Sequence, residues 1–207
     1  MSRRLDASDR RRFLTSGAAA LAAMAAVGRA PAVLAARKLK EPSAETRAAN
    51  DALLHALAEQ SDALHGEWLV IHHTASGGAS VRGLDNYHRK HFDDPYGAEY
   101  HFIVNNGVKG PDGAIQLARW RHQVRAAHLF HPERAPQSLA VCMVGNFETR
   151  GEPSGAQMQA LAALCRSLQT KFDIPAERVT THRGVDGRLT QCPGKDFPFE
   201  QLQSELL

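Results

Sequence analysis

The feature that most constrains this chain is the apolar stretch over residues 68–71, Trp-Leu-Val-Ile, which ends in His72 and His73. Successive side chains of a β-strand point to opposite faces, so four large apolar residues in a row leave no face suited to water. The stretch therefore predicts a central strand with packed layers on both sides of its sheet. Because His72 and His73 point to opposite faces, only one of them can join a given site.

Strand-like and helix-like segments alternate along the rest of the chain. Apolar spacing predicts helices over residues 43–64 and 155–172, and Ser154 with Gln157 forms a capping-box pattern before the second. Shorter helices are expected around 84–91 and over 196–207, and residues 121–137 form an irregular loop. Further strands are predicted over 98–104, 114–120, 138–144 and 179–182. The alternation predicts an α/β fold, with a mixed central β-sheet and helices packed against it.

Residues 1–36 have the order of an export signal: arginines, then a short apolar run, then small residues. The run is too short to span a membrane. Residues 10–14, Arg-Arg-Arg-Phe-Leu, resemble the twin-arginine motif, and the alternative is an ordinary arginine-rich secretory signal. We predict that this signal is cleaved, that the mature chain has no transmembrane anchor, and that it is periplasmic or cell-wall associated.

The charge of the chain depends on that segment. The whole sequence has 25 basic and 22 acidic residues, and residues 37–207 retain 19 and 20 of them. The formal net charge therefore changes from +3 to −1 once the signal is removed. A nucleic-acid partner requires a basic face on the mature domain, so no nucleic-acid partner is predicted.

The chain has three cysteines, Cys142, Cys165 and Cys192. An odd number in an exported protein means that at least one thiol is free, metal-bound or intermolecular. Cys165 lies on the apolar stripe of the helix over 155–172, where it is most simply a core thiol. The spacing leaves open whether Cys142 and Cys165 form a disulfide.

Two histidines and one cysteine are candidates for a zinc site. His72 and His182 each end a predicted strand, and the loop over 183–191 could fold Cys192 back towards His182. Two imidazoles and one thiolate fill three corners of a tetrahedral zinc site and leave the fourth open, which is the catalytic arrangement. Zinc-bound water with a pKa near ~7 would then provide a nucleophile. His88 and His91 are three residues apart, but no third ligand lies nearby in the sequence. We therefore interpret them as residues of a helix face and not as a metal pair.

Five stretches of the sequence resemble the zinc-dependent N-acetylmuramoyl-L-alanine amidases of the type 2 amidase and peptidoglycan recognition protein family. They are residues 70–75, 100–104, 138–142, 181–183 and 190–194, in the family order. The resemblance covers roughly residues 66–200. It implies a mixed sheet with helices on both faces, and peptidoglycan or a muropeptide as the partner. It also implies hydrolysis of the amide between N-acetylmuramic acid and L-alanine.

The same resemblance implies roles for individual residues. His72, His182 and Cys192 match the zinc ligands, whereas His73 is structural. Tyr100 matches the catalytic tyrosine. Thr190 stands where phage enzymes have lysine and recognition-protein amidases have threonine.

The resemblance leaves the roles of two other polar residues open. His128 lies near the substrate-loop histidine, although the loop that follows departs from the family pattern, so a surface histidine is the alternative. Glu99 points away from Tyr100 by strand alternation and is not assigned as a general base.

We therefore expect a tether and helix over 37–65 and a zinc amidase domain over 66–207. Two rival interpretations are a non-catalytic peptidoglycan-binding module and a thiol hydrolase that uses Cys192 with His182. Chelator sensitivity separates a zinc enzyme from both.

Overall fold

Five short strands form one mixed sheet. The structure is a computed structural model that describes residues 41–126 and 128–207. Its strands are β1 (Trp68–His73), β2 (Phe102–Val104), β3 (Ile115–Leu117), β4 (Ser138–Met143) and β5 (Val179–Thr181). Their order is β3-β2-β4-β1-β5. β1 is parallel to β4 and β5, β2 is parallel to β4, and only the edge strand β3 is antiparallel. The predicted mixed sheet is confirmed.

Helices cover both faces of this sheet. They are α1 (Ala44–Glu59), α2 (Val81–Phe92), α3 (Gly155–Phe172), α4 (His182–Asp186) and α5 (Phe199–Gln203). Short 3-10 turns occupy Arg119–His122, Ala135–Gln137, Ala176–Arg178 and Gly187–Leu189. One apolar cluster joins the sheet to α1, α3 and α5, and a smaller cluster on residues of the opposite face includes Val81 and Leu84 of α2.

The strand β1 is buried on both faces, as its sequence predicts. Leu69 and Ile71 belong to the larger cluster, and Val70 between them is also fully buried. α3 packs on the same side as Leu69 and begins with the predicted capping box, in which Ser154 and Gln157 bond each other's backbone N–H.

The helix α1 is joined to the edge of the sheet by a polar side chain. Asn50 donates from Nδ2 to the carbonyl of Gly113 at 2.9 Å and accepts at Oδ1 from the N–H of Ile115 at 3.0 Å. An unpaired strand edge needs partners for its backbone, and here an amide side chain supplies them. Leu57 of α1 is buried in the larger cluster.

Several elements are shorter than predicted because side chains take over backbone hydrogen bonds. The strand expected over 98–104 starts only at Phe102, since the N–H of Ala98 bonds Asp85 and its carbonyl bonds Arg119. The strand expected to include His182 ends one residue earlier, because the Thr181 hydroxyl caps α4. The strand expected over 114–120 and the helices expected over 43–64 and 196–207 are also shorter than predicted, and they correspond to β3, α1 and α5.

The predicted export signal over 1–36 lies outside the described residues. Within residues 41–126 and 128–207, none of the helices combines the length and the apolar character that a membrane crossing requires. The three cysteines are all free thiols, so Cys142 and Cys165 do not pair.

Candidate metal centre

His72, His182 and Cys192 converge at one point. Their ligand atoms all lie within 4.8 Å of one another. Nδ1 of His72 is 3.6 Å from Sγ of Cys192, and the imidazole rings of His72 and His182 are 4.6 Å apart between centroids. The structure thus brings together the three residues that the sequence suggested as a group.

The sheet topology explains this convergence. β1 and β5 are parallel neighbours, so their carboxyl ends lie at the same edge of the sheet. His72 is the penultimate residue of β1, and His182 follows β5 directly. The loop between the last two candidates is closed at its base, where the N–H of Arg183 donates to the carbonyl of Cys192 at 2.8 Å.

Two hydrogen bonds hold Cys192, one to its thiol and one from its backbone N–H. The His73 N–H donates to Sγ at 3.2 Å, and the Cys192 N–H donates to the Thr190 hydroxyl oxygen at 3.1 Å. Burial raises the pKa of the thiol to about 12, with the His73 N–H acting in the opposite direction. A bound cation would favour the thiolate, so this thiol is suited to a metal rather than to a free nucleophile.

Gly194 allows the Cys192 loop to approach the end of β4. It has a φ of +110°, and a Cβ atom there would overlap the backbone of Phe147 and Glu148. Only glycine has the conformation and the space for this approach.

The side chain of His73 lies on the opposite face of β1 from His72, as predicted. Its Nδ1 accepts from the N–H of Phe147 at 3.2 Å, and burial lowers its pKa to about 4. It takes part in the packing next to the centre and donates to Cys192 only through its backbone.

The second ring nitrogen of each candidate histidine ligand has its own partner. Nε2 of His72 lies 2.7 Å from Nδ1 of His128, whose Nε2 lies 2.9 Å from the hydroxyl of Ser138. Nε2 of His182 lies 2.9 Å from Oδ2 of Asp186. Burial lowers the pKa of His72 and of His128, and it also lowers that of His182 against the effect of Asp186. All three imidazoles are therefore uncharged near neutral pH, as imidazoles that bind a metal are.

Two further polar residues, Tyr100 and Thr190, lie next to the centre. Tyr100 is half-buried, with its ring centroid 5.3 Å from that of His72, and the N–H of Arg119 holds its carbonyl at 2.9 Å. Burial raises the pKa of its hydroxyl well above the ordinary value, so the group is a hydrogen-bond donor at neutral pH. Thr190 is half-buried beside Cys192.

Sequence reasoning placed His128 near substrate, but the structure places it beneath His72. Its side chain is 5% exposed, and both ring nitrogens are hydrogen-bonded within the domain. A substrate contact of His128 stays a prediction. Asp186 was missed altogether, and its spacing of four residues from His182 on a helical segment was the available signal.

The donor set fits zinc. Imidazole nitrogens and a thiolate are the ligands that zinc prefers, and three protein ligands leave a fourth coordination position open. The other nitrogen of each imidazole is already bonded, as it is around bound zinc in other proteins.

Comparisons with known proteins identify similar sequences and similar folds. The family described as N-acetylmuramoyl-L-alanine amidase matches residues 62–195. No protein of curated function matches the chain significantly. Among solved structures, the N-acetylmuramoyl-L-alanine amidase LysC from Clostridium intestinale is similar, with 27% identity and a TM-score of 0.58 over 69% of this chain and 85% of that chain.

Two further structures share the fold at lower identity. Peptidoglycan recognition protein SD from Drosophila is 22% identical, with a TM-score of 0.56 over 70% of this chain and 83% of that chain. The Ph2119 endolysin from a Thermus scotoductus bacteriophage is 20% identical, with a TM-score of 0.53 over 72% of this chain and 89% of that chain. The mixed sheet with helices is thus the fold of phage amidases and of recognition proteins alike.

Proposed function

This chain belongs to the N-acetylmuramoyl-L-alanine amidase family, and we propose that it hydrolyses the amide between the lactyl group of N-acetylmuramic acid and L-alanine in peptidoglycan. The observation that carries the proposal is the convergence of His72, His182 and Cys192 within 4.8 Å. Substrates are intact peptidoglycan or its soluble muropeptides. The amidase from Clostridium intestinale, at 27% identity, supports the same activity.

His72, His182 and Cys192 would hold zinc through two Nδ1 atoms and Sγ. When bound, zinc supplies Lewis acidity at the scissile carbonyl and lowers the pKa of water at the open position. The two imidazoles are neutral, so they can bind a cation without first losing a proton. The thiolate leaves a single negative charge among the three ligands, and Asp186 adds a second one behind His182.

Tyr100 and Thr190 would act on the oxygen of the scissile amide. The hydroxyl of Tyr100 keeps its proton at neutral pH and can donate to the negative charge that develops on the carbonyl oxygen. The hydroxyl oxygen of Thr190 accepts from Cys192, which leaves its proton free to be donated outward. Neither side chain is cationic.

The overall reaction adds water across the amide. The oxygen of water bonds to the lactyl carbonyl carbon, the bond to the L-alanine nitrogen breaks, and the departing nitrogen receives a proton from that water. Near neutral pH the chain's own imidazoles here are neutral and hydrogen-bonded, so they orient groups rather than carry the proton away.

A second candidate function is binding of peptidoglycan without hydrolysis, which the fold shared with a recognition protein keeps open. The complete ligand set favours the enzyme, because a binding groove has no need of a half-buried thiol beside two imidazoles. A thiol hydrolase is disfavoured by the raised pKa of Cys192, which opposes formation of the thiolate without a metal.

The substrate implies a location outside the inner membrane. We propose that residues 1–36 direct export. Residues 37–65 then form a tether and a helix, and residues 66–207 form the amidase domain. The twin-arginine route is tested by exchanging Arg10 and Arg11 for lysine in the full chain. Export should stop, and undiminished export would exclude that route.

The direct test is release of stem peptides from purified sacculi by the purified protein, with and without a chelator. We expect products with a free L-alanine amino terminus by mass spectrometry, loss of activity with the chelator, and recovery with added zinc. Binding to sacculi without release would support the recognition module. Activity that resists chelation but is abolished by thiol alkylation would support the thiol hydrolase.

A further inference from the structure

We propose that His128 and Ser138 are positioning residues that hold His72 in the tautomer with a bare Nδ1, the form able to bind a metal. The inference rests on the proposed metal centre and adds to it the reason why one imidazole presents the correct nitrogen. Neither residue contacts the metal position directly, since the ring of His72 lies between.

The direction of the hydrogen-bond chain follows from its last member. The Ser138 hydroxyl lies 3.2 Å from the carbonyl of Ala135, which can only accept, so the hydroxyl donates there. The oxygen of Ser138 then accepts from Nε2–H of His128 at 2.9 Å. A neutral imidazole has one N–H, so Nδ1 of His128 is an acceptor.

The acceptor at Nδ1 of His128 determines which ring nitrogen of His72 carries the proton. Nδ1 of His128 and Nε2 of His72 lie 2.7 Å apart, so one proton must lie between them, and it belongs to His72. Nδ1 of His72 is consequently bare. It is the atom that lies 3.6 Å from Sγ of Cys192.

The surroundings of His128 keep this chain intact. Its ring is 5% exposed, and its two nitrogens bond a histidine and a hydroxyl, neither of which is an anion. A second proton on His128 would place an uncompensated charge in a buried site and would reverse the bond to His72.

The segment over residues 128–130 supports both candidate histidine ligands through hydrogen bonds. His128 bonds His72, and two residues later the N–H of Phe130 donates to Oδ2 of Asp186 at 2.8 Å, the same oxygen that bonds His182. The Phe130 ring also packs on His182, with centroids 5.9 Å apart. A carboxylate accepts only, so Nε2 of His182 carries its proton as well.

The test compares His128→Asn with His128→Leu. The two side chains are nearly equal in size, but only asparagine can accept from Nε2–H of His72 through its amide oxygen. Partners of this kind change metal affinity by about 10–100-fold. We therefore expect zinc affinity, measured on the full chain by competition with a chelator, to fall about 10–100-fold in His128→Leu and substantially less in His128→Asn.

A second measurement reads the tautomer itself without metal or substrate. In ¹⁵N spectra of the metal-free protein, His72 should be protonated at Nε2 alone, and His128→Leu and Ser138→Ala should each give a mixture of tautomers. His55→Ala, which changes an exposed histidine on α1, is the control and should alter neither zinc affinity nor the spectrum.

Unchanged zinc affinity in His128→Leu, together with a single Nε2–H tautomer, would overturn the proposal. If His128→Leu does not fold, Ser138→Ala decides on the same two readouts. Failure of the amidase proposal looks different. The wild-type protein would then release no stem peptide from sacculi, while its zinc affinity and ¹⁵N spectra would still respond to these variants.

Discussion

Nδ1 of His72 and Sγ of Cys192 lie 3.6 Å apart, although 120 positions separate the two residues in the chain. Nothing local in the sequence holds them together. The contact requires the parallel pairing of β1 with β5 and the closed loop that follows it. Zinc binding at this point is therefore coupled to folding of the whole sheet, and metal content reports on the native state.

Cys192→Ser should remove both zinc and hydrolysis. A serine hydroxyl does not ionise near neutral pH, so the only anionic ligand is lost. We expect zinc affinity to fall by more than about 100-fold, because loss of a mere partner of a ligand already costs about 10–100-fold and here a ligand itself is lost. The control is Cys165→Ala, which changes a thiol of the helix α3 core and should keep zinc and activity. A metal-free Cys192→Ser protein with full activity would end the proposed mechanism.

Tyr100→Phe should lower kcat by about 100–1,000-fold and leave zinc affinity unchanged. The variant removes one preorganised donor to the oxyanion, and such donors have effects of this size. Steady-state kinetics on a defined muropeptide would measure it, with zinc content determined in parallel. Tyr87→Phe is the matched control, since Tyr87 is 42% exposed on α2. An effect confined to KM would argue instead for a role in binding.

Thr190→Val and Thr190→Ser distinguish the contribution of the Thr190 hydroxyl to catalysis from that of its branched shape. Valine keeps the branched shape but leaves the N–H of Cys192 without its acceptor and offers no proton to substrate. We expect kcat to fall about 10–100-fold in Thr190→Val, whereas Thr190→Ser retains most activity. Full activity in Thr190→Val together with a loss in Thr190→Ser would show that the methyl group, not the hydroxyl, is required.

Gly194→Ala should destabilise the domain by more than about 2 kcal/mol, because the added methyl group meets backbone atoms that cannot move aside. Zinc affinity should fall with it, since Cys192 is two residues away. Gly187→Ala is the control. Gly187 also has a positive φ, +59°, but no atom lies within 4 Å of an added Cβ, so a cost of only about 1 kcal/mol is expected. Urea unfolding of the two variants gives both values.

His101 should make the domain less stable in acid. Burial, reinforced by the charge of Arg119, lowers its pKa from 6.5 to about 3. As pH falls below 6.5 the unfolded chain takes up this proton first, so the contribution is fully present above pH 6.5 and is lost progressively towards pH 3. His101→Asn keeps an acceptor for the N–H of Ala140 and removes the titration. Between pH 7 and pH 5 the wild type should lose about 2 kcal/mol more unfolding free energy than this variant. Equal losses would contradict the assignment.

Much of the fold could be predicted because β1, β4 and α3 have patterns that only one environment satisfies. Continuous apolar runs specify buried parallel strands, and a capping box before a helical stripe specifies a helix start. The ends of elements were less accurate. The start of β2 depends on Asp85 and Arg119, which bond the backbone of Ala98 from elsewhere in the chain, and the end of β5 depends on the Thr181 hydroxyl, which caps α4.

The candidate site was also predictable only in part. His72, His182 and Cys192 could be proposed because zinc chemistry demands those residue types and the strand ends bring them to one edge. The place of His128 could not be predicted. Residues 121–137 have no periodicity, and only the folded path of that segment shows that its histidine lies beneath β1 rather than on the surface.

The bond between the N–H of Arg183 and the carbonyl of Cys192 has a consequence for how related proteins can diverge. It fixes both ends of the loop, while Asp186 and Thr190 are held by their own partners. Between them, in the turn over residues 187–189, the N–H of Gly187 bonds the carbonyl of Arg183, but the side-chain positions of this turn are open: Leu189 is 63% exposed, and no atom lies within 4 Å of a Cβ added at Gly187. Insertions or exchanges at these three positions could therefore reshape the rim beside the metal centre without displacing any ligand, which makes this turn a natural place for selection, or for protein engineering, to alter substrate preference.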